Sequence, residues 1–219
     1  MVIIFFLELV VLFFLSRRLT SELSLLFYRT FKSQKFAIFL ISAIFLPGTI
    51  IHEFAHAVMA KALFVYVGKM SLLPSLNGNS LKLGSVEVGR TDIVRNFLIG
   101  IAPFMVGTTL LLGMLFYSFS NKLLGFNLFT FLVLIFTFVI ANTMYSSRKD
   151  MEGAVEFFLL IIIPIIFLYF VGVRIPGLSW EGLNNEVLNN YFMTASILLG
   201  IPLVIDGAII LFGKIVNKE

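Results

Sequence analysis

Apolar residues run through this chain in long blocks with few polar interruptions, and the blocks are separated by short polar connectors. Six stretches approach or reach the roughly 20 helical residues needed to cross a hydrocarbon core. They fall at about 2–15, 36–60, 97–119, 123–141, 154–173 and 191–213. The first is the shortest; Glu8 interrupts it and Arg17-Arg18 close it, like the flank of a span. The connectors are a basic segment (16–35), a polar insert (61–96), a tight link (142–153) and a loop with the single Trp (174–190). Within the insert the pattern changes. Ser80-Leu81-Lys82-Leu83 and Val86-Glu87-Val88 alternate with period two, and Asn77-Gly78 is a turn signal. That texture predicts a β-hairpin or small sheet over 70–88, inside a β-containing insert of about 67–92. The expected fold is an all-α polytopic membrane protein of about six transmembrane helices. A small β-hairpin insert lies at the membrane surface, and residues 1–219 form one domain.

Composition sharpens the picture. Hydrophobic residues make up 59% of the 219, charged residues 13%, and Phe occurs 26 times. A soluble domain has about a quarter charged residues, so this balance points to lipid as the solvent. Cys is absent, which excludes disulfides and thiolate metal sites. The net charge of +4 gives no reason to expect nucleic acid as a partner. The N-terminal run lacks a basic n-region and a small-residue cleavage site, and reads as retained rather than as a signal peptide. Lys and Arg split seven against nine between the two sides of a six-span arrangement, a slight bias for a cytoplasmic insert.

The chain has two His, and they stand four residues apart in His52-Glu53-Phe54-Ala55-His56. On a helix, i and i+4 share a face, so two imidazoles there can hold one tetrahedral Zn²⁺. The adjacent Glu can then serve as general base towards a water on the metal. Polar groups are costly at membrane depth and need a compensating partner; a metal supplies one, and hydrogen bonds between helices are the plainer alternative. A helix from Phe36 to His52 rises about 24 Å, placing the motif toward the far side of the core. Pro47-Gly48 predicts a kink or restart just before it.

A catalytic zinc has three protein ligands and an open position. With no third His and no Cys, the third must be a carboxylate. Glu87, Asp92, Asp150, Glu152 and Glu156 lie on the motif's side of the membrane. Asp150 is the best placed by spacing, because the fourth span should end at the same face as the motif.

This combination resembles the site-2 protease family of intramembrane zinc metalloproteases: an H-E-x-x-H in a membrane helix, a short β-containing insert, then Asn142 and, eight positions on, Asp150. In that family the second motif reads approximately Asn-x-x-Pro-x-Pro-x-Leu-Asp-Gly, and its Asp is the third ligand. Residues 142–150 keep the Asn and Asp, lack both prolines, and are followed by Met151 where the family has Gly. Ala102-Pro103 is similar to a Gly-Pro found in the third span of many members. The resemblance covers about 36–153. It implies His52, His56 and Asp150 as zinc ligands, Glu53 as base and Asn142 as a polar contact to substrate or oxyanion. The implied activity is hydrolysis of peptide bonds in or beside transmembrane segments of membrane-anchored proteins, with the lipid bilayer as setting. Small size and lack of appended domains suggest a multi-pass protein of a prokaryotic cell membrane.

A substrate helix must unwind to expose its carbonyls, and the edge of the insert could hold the extended stretch by strand addition. Asn142, Thr143 and Ser146 could line a water path or cap the fourth span. Glu8 and Asp206 are acids in apolar runs, expected to make interhelical hydrogen bonds or to lie near the interface. Gly100, Gly107 and Gly113 are expected to permit close helix contacts. Two other readings fit the motif: a zinc-dependent membrane hydrolase of another substrate class, and a non-catalytic scaffold that keeps the metal site. Glu53 argues against the scaffold, which would need the ligands but not the base.

Overall fold

The computed structural model describes residues 2–72, 74–77, 80–123, 125–145, 163 and 186–217. Helix α1 (Val2–Phe31) contains neither Gly nor Pro, so nothing in its sequence stops it at Arg17-Arg18, and it runs for 30 residues instead of ending near residue 15. Arg17 lies 4.3 Å over the Phe13 ring, and Arg18 is 3.9 Å from Glu22. These contacts let the charged turn continue the helix. The chain then reverses in two residues. Lys32 takes a left-handed conformation (φ 52°), and the Ser33 hydroxyl accepts from the Phe36 amide to cap α2 (Gln34–Ala62).

Helix α2 continues through Pro47-Gly48, where a kink or restart was expected. It ends in a Schellman turn: Val65 N–H donates to Ala60 O, Phe64 N–H to Lys61 O, and Phe64 sits at φ 58°. Val65 and Ala60 are buried together with Ile99, which ties the end of α2 to the start of α3 (Ile93–Ser120).

The insert consists of two antiparallel ladders, as the alternation predicted. Strands β1 (Val67–Ser71) and β4 (Ser85–Val88) form the outer pair, with an irregular register between Val67 and Met70. Strands β2 (Ser75–Asn77) and β3 (Ser80–Lys82) form the inner pair, with Asn77 opposite Ser80. Asp92 then caps α3 (Ile93–Ser120), accepting from the Arg95 amide at 3.0 Å. Helix α4 (Leu128–Thr143) is capped by Asn127 and has 16 residues. Helix α5 (Glu186–Asn217) is the last element. The expected span at 154–173 lies outside the described residues, apart from Ile163.

Among the described residues, three helices are long and apolar enough to cross a membrane: Gln34–Ala62, Ile93–Ser118 and Ala195–Ile215. That suggests a multi-pass membrane protein. Large apolar side chains such as Phe14, Phe39, Phe54, Phe131 and Ile197 point outward, as lipid-facing positions would. The centre is a cluster of Phe5, Leu9 and Leu12 from α1, Leu111 from α3, Ile140 and Ala141 from α4, and Ala195 and Leu199 from α5.

Candidate metal centre

Helical spacing puts His52, Glu53 and His56 within one turn of α2, and neighbouring helices then fix the rings. Thr143 O, at the end of α4, lies 2.7 Å from His52 Nδ1, and Ile99 O, on α3, lies 2.7 Å from His56 Nδ1. The expected placement of the fourth span's end beside the motif is therefore realised. A carbonyl only accepts, so each Nδ1 must carry the ring proton, which leaves each Nε2 with a lone pair when the ring is neutral.

Those two Nε2 atoms face each other at 3.2 Å, with the rings edge to face at 80°. Nitrogens bound tetrahedrally at the usual zinc distance of about 2.0–2.1 Å stand roughly 3.3 Å apart. The pair therefore fits a zinc ion. Without a cation between them, only an imidazolium could supply a proton to this contact. Among the described residues, no cluster of three or more His, Cys, Asp or Glu forms a complete metal site.

The close approach that brings Thr143 to His52 depends on Gly48, one turn earlier. A Cβ there would lie 2.9 Å from Thr143 Cβ and from Val139 Cγ1, and would collide with Thr143 Oγ1. Gly107 similarly admits Met144, whereas a side chain at Gly113 would meet nothing within 4 Å, so close packing explains the first of these glycines and not the second. Glu53 is buried, and the main chain at Gly84 covers it.

The sequence-derived carboxylates divide clearly. Glu87 is exposed in the insert, 3.4 Å from the Lys69 amide. Asp92 is exposed and occupied as a helix cap, its carboxyl held below the ordinary value chiefly by the hydrogen bond from the Arg95 amide. Asp150, Glu152 and Glu156 lie outside the described residues. Asn142 does not point to the imidazoles. Its amide donates to Phe138 O at 3.0 Å and to Asp206 Oδ1 at 2.9 Å.

Asp206 makes the interhelical hydrogen bond expected of it, but it is also completely buried, and its Oδ2 has no hydrogen-bond partner among the described residues. Its partner Asn142 immediately precedes Thr143, the residue that holds His52. The sequence did contain a signal for this: a lone acid deep in an apolar helix. Glu8, the other such acid, lies against Ser196 across the α1–α5 contact. No family model, curated protein or solved structure matches the chain.

Proposed function

We propose that this chain is an intramembrane zinc metalloprotease, similar to the site-2 protease family, that cuts membrane-anchored proteins in or beside their transmembrane segments. The observation that carries the reading is the pair of Nε2 atoms, aimed at each other at 3.2 Å with both Nδ1 protons already committed to carbonyls. An imidazolium donating to its neutral neighbour would be a costly way to fill that geometry in apolar surroundings; a divalent cation fills it directly.

His52 and His56 bind the metal, and Thr143 and Ile99 hold their tautomer and orientation through main-chain oxygens. When bound, zinc would polarise the scissile carbonyl and bring the pKa of water near 7. Glu53 takes the proton from the attacking water and passes it to the departing amine. Burial of Glu53 and His56 keeps bulk water away from both. The third ligand is a carboxylate. Asp150 is the one the family resemblance implies. Asp206 is buried with an unpartnered oxygen among the described residues, but it forms no cluster with His52 and His56, and its Asp206→Ala variant serves as the comparison for Asp150→Ala.

Zinc content of detergent-purified protein tests this, with wild type, His52→Ala, Asp150→Ala and Asp206→Ala prepared together. One zinc per chain in wild type and none in His52→Ala is the expected result. Whichever Asp variant loses zinc identifies the carboxylate. A wild type free of zinc after purification without chelators would overturn the proposal.

A further inference from the structure

The site is closed to anything the size of a peptide: Glu53 is 7% exposed and His56 5%. Some neighbour must move before a substrate can reach the base. Helices α3 and α4 cannot be that neighbour without breaking the carbonyl contacts that orient the imidazoles. The corner between β3 and β4 can.

Gly84, at that corner, is buried, and a Cβ built on it would lie 2.7 Å from Thr49 Cγ2, 3.0 Å from Glu53 Cγ and 3.1 Å from Glu53 Oε1. The main chain therefore lies directly on the base, and only glycine allows it. Thr49 is β-branched, stiff and buried, so it cannot turn aside for a larger residue. Leu83, the preceding residue, is partly buried against the edge of a cluster that Leu19, Ile41, Phe45, Val139 and Ile210 build from α1, α2, α4 and α5. The corner is carried by ladders of only two strands each, which are marginal on their own. Among the described neighbours of Glu53, it can leave while the contacts that orient the imidazoles stay intact.

We propose that Leu83-Gly84 is a pseudosubstrate plug. Leu83 fills a socket that, in turnover, receives an apolar side chain of the peptide to be cut, and Gly84 holds main chain where the substrate's main chain lies against Glu53. What enters the socket rests on the hydrolase reading; the seating of the plug does not.

The absence of cysteine makes the test clean, because a single introduced thiol is the only one in the chain. Thr49→Cys provides a reporter beneath the plug, read by its rate of modification with a charged methanethiosulfonate. The expected result is slow modification in the single variant, with an acceleration of about tenfold or more when Leu83→Ala removes most of the partly buried side chain. Leu83→Ile should stay slow. Equal rates with and without Leu83→Ala would overturn the plug.

Should Leu83→Ala fail to fold, the milder Leu83→Val in the Thr49→Cys chain decides the same point, since it also trims the seated side chain, and a rate equal to that of Thr49→Cys alone would overturn the plug. In the Leu83→Ala background, a soluble peptide with one leucine between glycines should slow modification, and the same peptide with aspartate should not. Equal behaviour of the two peptides would overturn the socket assignment. None of these measurements uses zinc, so a zinc-free wild type would remove the hydrolase reading while leaving the plug to stand or fall by itself.

Discussion

At His52 and His56 each Nδ1 meets a main-chain carbonyl at 2.7 Å, whereas at Asn142 and Asp206 side chain meets side chain and two oxygens are left over. Both clusters lie in apolar surroundings, and both include the end of α4. The imidazoles are held by partners that no side-chain substitution can remove, so their orientation is built into the packing of α2 against α3 and α4. The carboxamide and carboxylate hold each other by one 2.9 Å hydrogen bond, with Asn142 Oδ1 and Asp206 Oδ2 unpartnered among the described residues. One cluster is a rigid two-point holder, and the other is an acid with capacity to spare. The first defines where an ion would sit, whereas the second ties α4 to α5 and forms no cluster with the two histidines.

The largest effect expected is on the rigid cluster. His56→Ala should lower zinc content to background, read by elemental analysis, and acidification should strip zinc reversibly from wild type, since the rings must be neutral to bind. Gly48→Ala comes next. Its Cβ would push Thr143 off α2 and misorient His52, with zinc affinity expected to fall about 10–100-fold, as when an outer-shell partner is lost. Thr143→Gly in the same chain should restore part of it, because it removes two of the three atoms in the way, Oγ1 and Cβ, and leaves Val139 Cγ1. If Gly48→Ala left zinc affinity unchanged, the carbonyl would not be positioning the ring, and the contrast between rigid and adjustable clusters would collapse.

The adjustable cluster should respond more gently. Asn142→Leu removes one interhelical hydrogen bond and should cost about 0.5–2 kcal/mol of stability in detergent denaturation, with the imidazole geometry unaffected. The smallest effect belongs to Asp92. Its carboxyl pKa is depressed on folding, so its contribution is fully present above the ordinary value of 3.8 and is lost as the pH falls below it. Asp92→Ala should therefore lower Tm slightly at neutral pH, and the difference from wild type should shrink toward pH 3.

The sequence made the motif's own geometry legible, because i and i+4 on a helix leave little choice. The partners that orient the rings were not legible. Thr143 and Ile99 act through main-chain oxygens, which no residue identity announces, and they are 91 and 43 positions away. The insert's ladders followed from period-two alternation, but nothing in that alternation showed that Gly84 would rest on Glu53. The length of α1 was misjudged because Arg17 and Arg18 look like a boundary in a hydropathy profile, while helix propensity recognises no boundary there. Asp206 was visible as an anomaly, an acid in an apolar run. Its link to Asn142 depends on how α5 packs against α4, 64 residues away in the chain.

Among the described elements, helices α1 and α5 share the most extensive contact, including the edge-to-face pair Phe5 and Phe192 at 5.1 Å. During synthesis, the helix made early has no access to its main partner until the helix made late has emerged. Socket residues from both, Leu19 and Ile210, come together only then. A nascent chain would thus carry its histidines before it has anything to seat the plug in, and the finished cleft would exist only after the last helix has docked.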